Sequence, residues 1–280
     1  MGTSTTNPRH IFSSHSHINQ AAKDILNYPV GEIPARAAIT VEIVCPPCPL
    51  QPFIDTQYPD SKTMSARPGV YMKYLPYRYD EVTGKLLTGG SYLFDSYADA
   101  EGYKRWTTEE FEVDEPRVKF WEREMFESRR SWVRRVVEAW NFRPVGEHAV
   151  GKVEQWRYEG EDAEVALHEA WPLVKSEAEK QGAAAIWLLH GGKEKIVGIQ
   201  LAFPKVTGKV DQESARRSLA AAEQHPSLEQ FLPKALRYER IFRRTSLLLT
   251  LWLPRSRAAG GKELTIPLYP VVPGISHGHT

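Results

Sequence analysis

The sequence lacks the features of several large protein classes. Cysteine is scarce, with two residues in a chain of 280, which excludes a secreted fold held by several disulfides. No apolar run approaches the roughly 18 residues that a membrane-spanning helix needs, and the first residues lack the apolar core of a secretory signal. We therefore expect a cytoplasmic protein with no membrane partner.

Charge of one sign is not in excess either. Lys and Arg number 36 against 35 Asp and Glu, which gives a formal net charge of +1 and no overall field to attract nucleic acid. The densest basic segment, residues 121–140, interleaves Arg with Trp, but Glu residues balance it. This pattern favours an ion-paired surface over nucleic-acid binding.

Motifs for common cofactors are missing as well. The chain has no P-loop, no GxGxxG after a strand, no GxSxG and no HExxH, so we predict neither an organic cofactor nor a metal site. The two cysteines form Cys45-Pro-Pro-Cys48 after a strand-like run. A redox role would need a helix to begin there, and Pro49 and Pro52 argue against one. The spacing favours a rigid turn and leaves the role of the thiols open.

The second part of the chain contains a complete set of elements. Helical spacing of apolar residues and a Gly-Gly hairpin signal give the order β-α-β-β-α-β, which is the ferredoxin-like arrangement. The predicted strands are Lys152–Tyr158, Ala183–His190, Lys195–Phe203 and Thr245–Leu253, and the predicted helices are Asp162–Gln181 and Ser214–Gln224.

The first part repeats this order with variations. A strand over Ala37–Val44 precedes a Pro-rich loop, and strands at Gly69–Tyr79 and Gly89–Phe94 flank a turn. Ser96 begins a helix, with Asp99 in the acidic position of a capping box. An aromatic-Glu-Arg pattern followed by Phe and two Arg occurs from Trp121 and again about 115 residues later, which indicates an internal repeat.

These elements predict an α+β fold of two tandem ferredoxin-like units. Each antiparallel sheet has helices on one face only, so the two open faces are expected to pack together into an α+β barrel that encloses a cavity. A tandem chain closes this barrel as a monomer, or the protein is a homodimer. The predicted domains are an N-terminal arm (1–36), the first unit (37–148), the second unit (149–255) and an extended C-terminal tail (256–280).

The segment Gly89-Gly90-Ser-Tyr92-Leu-Phe94, followed by a helix with Ala100 and Tyr103, resembles the small monooxygenase-like members of the dimeric α+β barrel superfamily. That superfamily includes cofactor-independent monooxygenases acting on phenols and polycyclic aromatics, isomerases, lyases, and haem proteins such as chlorite dismutase. The resemblance implies a hydrophobic ligand in the barrel. It does not choose among the reactions or assign a catalytic residue.

Candidate site residues follow from side-chain chemistry. His190 ends a strand and is the predicted general base, because its neutral form accepts a proton near pH 7. Tyr74 and Tyr92 are predicted catalytic hydrogen-bond partners. Trp187, Tyr71 and Arg78 are predicted to bind the substrate. Strand alternation places His190 and Trp187 on opposite faces unless a bulge intervenes.

The sequence thus predicts a cofactor-independent enzyme, monooxygenase-like, that deprotonates a small apolar aromatic or polyketide-like substrate in a desolvated barrel. Three alternatives stay open. The first is a lyase or isomerase acting in the same barrel. The second is a non-catalytic binding or assembly protein whose aromatic side chains fill the barrel, and the third is a haem protein with His190 as axial ligand.

Overall fold

The computed structural model describes residues 28–113, 117–145, 149–161, 163–204 and 212–265. It is an α+β structure with four α-helices around a closed antiparallel barrel of eight strands. The helices are α1 (Leu50–Ser65), α2 (Tyr97–Arg105), α3 (Glu164–Lys180) and α4 (Gln212–Gln224). None of the described helices is both long and apolar enough to cross a membrane.

Twelve strands are described, and eight of them form the barrel. They are β1 (Gly31–Glu32), β2 (Ala37–Cys45), β3 (Val70–Tyr79), β4 (Leu86–Phe94), β5 (Glu112–Val113), β6 (Val118–Lys119), β7 (Ser128–Asn141), β8 (Val150–Glu159), β9 (Ala185–Gly191), β10 (Ile196–Phe203), β11 (Arg237–Leu253) and β12 (Leu264–Thr265).

The barrel order is β7-β2-β4-β3-β11-β8-β10-β9, and β9 pairs back with β7. We call β2, β3, β4 and β7 with α1 and α2 the first half, and β8 to β11 with α3 and α4 the second half. The halves join through β3–β11 and β7–β9, and both junctions are antiparallel. Closure leaves none of these eight strands with an unpaired edge.

Strand alternation divides the apolar residues into two layers. One layer lies between the barrel and its helices and includes Ile39, Tyr92 and Trp156. The other lies inside the barrel and includes Ala38, Tyr74 and Trp187. The helices therefore cover the outside of the barrel, and the space between helix and strand is separate from the barrel interior.

Helix α1 corrects the sequence prediction for residues 50–65, which was a Pro-rich loop. The helix begins at Leu50, directly after Pro49, and contains Pro52 and Pro59. The argument that Pro49 and Pro52 prevent a helix was wrong. Pro49 is the residue before the helix, and Pro52 lies in the first turn, where backbone N–H groups have no helical partner to lose. The helix cap at Ser96 is as predicted, with the Ser96 Oγ accepting from the Asp99 N–H at 3.0 Å.

Residues 28–36 of the predicted N-terminal arm pack against one end of the barrel. The Tyr28 hydroxyl donates to Asn141 Oδ1 at 3.0 Å, and Gly31 pairs with Asn141. Tyr28 and Ile33 are buried. The predicted C-terminal tail is described to Thr265, where β12 pairs with β11. The rest of both predicted segments lies outside the described residues.

Candidate functional site

An apolar pocket lies between the helices of the first half and the outer face of its strands. Its volume is about 80 Å³, several times the roughly 10–15 Å³ that one water molecule needs. We call it the helix–sheet pocket. Its walls come from α1, α2, β2, β4 and the aromatic segment after β6, and include Phe53, Ser61, Tyr92, Tyr103, Phe120 and Trp121. Its surface is mainly apolar, as is usual for sites that bind small organic molecules.

The two glycines of the strand motif make room for this pocket. Gly89 has φ +148°, and a Cβ there would lie 1.9 Å from the Val41 carbonyl oxygen. A Cβ on Gly90 would lie 2.3 Å from the Tyr92 ring. Both glycines and Tyr92 line the pocket. The motif therefore allows two strands to approach closely and one aromatic ring to lie flat against β4.

Tyrosine hydroxyls provide polar groups in the pocket wall. The rings of Tyr92 and Tyr103 are 5.3 Å apart, and burial raises the pKa of both hydroxyls. They therefore stay protonated near neutral pH and can donate hydrogen bonds. Donors of this kind can stabilise a phenolate or enolate oxygen of a bound ligand.

A buried lysine lies directly behind the pocket wall. The Lys73 side chain is 2% exposed, and its Nζ donates to Ser61 Oγ at 2.6 Å and to the Ser61 carbonyl oxygen at 2.9 Å. Burial lowers the pKa of Lys73 to about 7. Sequence reasoning missed this pair, because Ser61 lies in the segment predicted as a loop. A helix there would have placed Ser61 over the strand that carries Lys73.

Tyr74 and Trp187 lie together inside the barrel, away from the helix–sheet pocket. Their rings stack at 4.9 Å with an interplanar angle of 11°, and the Tyr74 hydroxyl lies 3.2 Å from that of Tyr28. The cavity beside them, next to Thr40 and Gln200, measures only about 20 Å³. Aromatic side chains thus fill the interior where the sequence predicted the ligand.

Of the other two residues predicted to bind substrate, Tyr71 belongs to the same interior layer as Tyr74 and Trp187, whereas Arg78 lies at one end of the barrel. Arg257 covers the Tyr71 ring at 4.6 Å. The Arg78 guanidinium donates to Glu223 at 2.6 Å and to Thr245 at 3.0 Å, beside an open, Arg-rich mouth at one end of the barrel. The structure therefore brings Tyr74 and Trp187 together, with Tyr71 in the same interior layer, and leaves Arg78 and Tyr92 elsewhere.

His190 lies on the outer face of β9, opposite to Trp187, as strand alternation predicted. Its Nε2 is 2.9 Å from the Tyr158 hydroxyl, and its Nδ1 is 4.0 Å from a Glu164 carboxylate oxygen. It borders an open cleft of about 890 Å³, to which Tyr97 and Arg135 contribute. We call this the His190 cleft. It is a different site from the helix–sheet pocket.

The described residues contain no cluster of three or more His, Cys, Asp or Glu side chains placed to hold a metal ion. The basic segment 121–140 is partly ion-paired, since the Arg123 guanidinium lies 2.6 Å from Asp60. Arg134 instead turns into the barrel and donates to Gln155 Oε1 at 3.1 Å. Cys45 is buried, and burial raises its pKa to about 12, which does not suit a reactive thiolate.

No protein-family model matches the chain, and no curated protein matches it in sequence. Solved structures match it at low identity. A Fusobacterium nucleatum protein named provisionally as a monooxygenase has a TM-score of 0.41 and 9% identity, over 77% of this chain and 93% of its own. A Lactobacillus acidophilus protein with the same provisional name has a TM-score of 0.40 and 7% identity, over 76% of this chain and 96% of its own.

An anthrone oxidase-like protein is similar as well, with a TM-score of 0.41 and 13% identity over 81% of this chain and 94% of its own. These likenesses concern the fold alone. The substrate and the reaction have to be argued from the residues of the site.

Proposed function

We propose that the protein is an enzyme that binds a small, largely apolar aromatic or polyketide-like molecule in the helix–sheet pocket and deprotonates it without an organic cofactor. The pocket itself carries this proposal. It combines an apolar, aromatic wall with buried tyrosine hydroxyls that remain donors. A small aromatic ring bearing one acidic hydroxyl or activated CH₂ group matches that wall in polarity.

The reaction that we propose is a monooxygenation. An activated CH₂ group of the substrate loses one proton to a base, and the carbanion reacts with O₂. Protonation then gives a hydroperoxide, and loss of water leaves a ketone. The substrate supplies all four electrons, one oxygen atom enters the product and the other leaves as water. Hydrogen bonds from the hydroxyl groups of Tyr92 and Tyr103, which are stronger in a site that excludes water, stabilise the charge that develops.

Tyr92 provides the direct test. Tyr92→Phe keeps the ring and removes the donor, so O₂ uptake with anthrone-like or phenolic substrates is expected to fall by about 10- to 100-fold. Tyr74→Phe is the matched control, because it removes the same group inside the barrel and outside the pocket. Equal activity of wild type and Tyr92→Phe, or no binding of any aromatic probe, would refute the proposal.

The His190 cleft supports a second candidate, a lyase or isomerase for a polar substrate. Tyr158 is hydrogen-bonded to His190 Nε2, and Glu164 lies 4.0 Å from His190 Nδ1, so the cleft brings three acid–base groups together. Arg135, the cross-strand neighbour of His190, can hold an anionic group. If this cleft is the active site, His190→Gln abolishes turnover and Tyr92→Phe does not. Ligation of a haem iron by His190 Nε2 would require its hydrogen bond with the Tyr158 hydroxyl to break.

We also propose that the two halves are tandem ferredoxin-like units. Counting the strands of each half along the chain, both halves have the sheet order fourth, first, third, second: β7-β2-β4-β3 and β11-β8-β10-β9. In both, one helix follows the first strand and one precedes the fourth. An experimental structure in which these elements fail to superpose between the halves would contradict the duplication.

A further inference from the structure

The surroundings of Lys73 are unusual for a buried lysine. Its amine donates to two oxygen atoms of one residue, Ser61. Among the described residues, no carboxylate lies within ion-pair distance of it, and the nearest acidic influence, Glu263, is hydrogen-bonded to the Trp252 indole. A buried ammonium without a counter-ion is expensive, so proteins favour the neutral amine at such sites.

A neutral amine is a base, and the geometry determines what it can act on. Lys73 is not in the pocket wall, whereas Ser61 is. The Ser61 hydroxyl thus lies between the amine, at 2.6 Å, and the space in which a ligand would bind. A hydroxyl can accept one proton and donate another at the same time. Ser61 is therefore placed to connect the pocket with the amine behind it.

We propose that Lys73 is the proton acceptor of the helix–sheet pocket and that Ser61 relays the proton to it. As the substrate O–H or C–H bond breaks, its proton moves to Ser61 Oγ, and the Ser61 hydroxyl proton moves to Lys73 Nζ. The substrate becomes an anion and the amine becomes an ammonium, so charge and atoms balance without a further reactant. This inference rests on the proposed function, because it supplies the base for the same pocket.

Ionisation of a bound phenol tests the relay without turnover. A nitrophenol absorbs at longer wavelength once ionised, so titration of the wild-type protein reports both binding and the protonation state of the bound probe. In the wild type, we expect the ionisation equilibrium of the bound probe to shift toward the phenolate by at least tenfold relative to Lys73→Met. Ser61→Ala is expected to lose most of this shift, and Ser61→Thr to retain it.

Lys152→Met is the matched control. Lys152 is also fully buried on the outer face of a barrel strand, but its Nζ donates to the His225 carbonyl oxygen at 2.8 Å and lies 3.8 Å from Glu154. Its removal leaves the helix–sheet pocket intact, so the folded variant is expected to ionise the probe as the wild type does. Ser61 is a half-buried residue on α1, so Ser61→Ala is expected to fold. It therefore still tests the relay if Lys73→Met does not fold.

The possible failures are distinguishable. If wild type does not bind the nitrophenol, the proposed function fails, and this inference fails with it. If wild type binds the probe but Lys73→Met and Ser61→Ala ionise it equally well, the relay is refuted while the binding function stands. Loss of probe ionisation in Ser61→Ala with unchanged affinity for the neutral phenol, measured below the pKa of the free probe, supports the relay, because a purely structural role would change that affinity or the stability instead.

Discussion

Each half of the barrel buries one lysine on the outer face of a strand, and the two lysines have different neighbours. In the second half, Lys152 contacts backbone carbonyl groups and lies 3.8 Å from Glu154, which is also 3.6 Å from Arg243. In the first half, Lys73 contacts only a serine, and its pKa falls to about 7. Burial lowers the pKa of Lys152 too, but the charge of Glu154 counteracts it.

The comparison shows that the neighbours, rather than burial alone, decide the role of a buried lysine. An ammonium with a carboxylate and carbonyl groups around it stays charged and fixes structure. An amine that donates to the hydroxyl and carbonyl oxygens of one serine, with no carboxylate of the described residues within ion-pair distance, is placed to gain and lose a proton near neutral pH. The packing agrees with this division. Beside Lys73 lies the helix–sheet pocket, whereas the fully buried Trp156 indole, bonded to Glu229, occupies the outer layer of the second half.

The largest expected effect on stability comes from replacing one glycine of the first half, Gly89, and it is compared with the same replacement at Gly151 of the second half. Gly89→Ala would place a Cβ 1.9 Å from the Val41 carbonyl oxygen at a φ of +148°, so the β2–β4 pairing has to shift. We expect a loss of about 4 kcal/mol or more in the free energy of unfolding. At Gly151 of the second half, a Cβ meets only the end of the Leu248 side chain, at 2.9 Å.

Gly151→Ala is accordingly expected to lose about 1 kcal/mol. Urea denaturation of both variants, with the wild type alongside, measures the difference. A Gly89→Ala variant as stable as Gly151→Ala would show that the close approach of β2 to β4 is not what the glycine serves.

The next effect concerns two ion pairs. Arg123 and Asp60 are nearly buried, with side chains 4% and 11% exposed and a separation of 2.6 Å, and they join α1 to the aromatic wall of the pocket. Arg123→Met leaves a buried carboxylate without its arginine, so we expect a loss of about 3 kcal/mol. In the second half, Arg157 and Glu239 are 59% and 73% exposed, and Arg157→Met should change stability little. Thermal unfolding of both variants tests this contrast.

Replacement of each lysine by Met is expected to change the stability at pH 7 in opposite directions. The folded-state pKa of Lys73 is about 7, below the value of about 10.4 in an unfolded chain. Between these values the unfolded chain binds more protons, so stability rises with pH, by at most about 1.4 kcal/mol per pH unit. Lys73→Met removes this slope and is therefore expected to be more stable than wild type at pH 7, by an amount that shrinks toward pH 9.5.

Lys152→Met is expected to be less stable than the wild type at pH 7. It removes one of the two cations beside the buried Glu154 and costs about 2–3 kcal/mol. Denaturant midpoints for wild type and both variants from pH 6.5 to 9.5 give the two trends. Parallel stability curves for wild type and Lys73→Met would mean that Lys73 keeps an ordinary pKa, and the distinction between the two lysines would be lost.

Much of the fold was predictable, because alternating apolar residues and glycine turns mark the barrel strands directly. Gly89, Gly90 and Tyr92 line the helix–sheet pocket, but from the sequence this motif indicated only the fold, and the ligand was predicted inside the barrel. The location of the site was not predictable in the same way. Because of its prolines, the segment of α1, which contains Ser61, was predicted as a loop. A sequence also does not show whether the interior of a closed barrel is filled by side chains, as it is here by Tyr74 and Trp187.

A last test, which changes no residue, asks whether burial explains the chemistry of the first half as a whole. Desolvation favours the neutral form of every group, so it lowers the pKa of Lys73 to about 7 and raises that of Cys45 to about 12. For the amine, the neutral form is the reactive one; for the thiol it is the inert one. At pH 8, Cys45 in the folded protein is therefore expected to react with iodoacetamide on the order of a thousandfold more slowly than in urea. Similar rates in both states would show that the end of β2 is open to solvent and that burial does not protect the thiol.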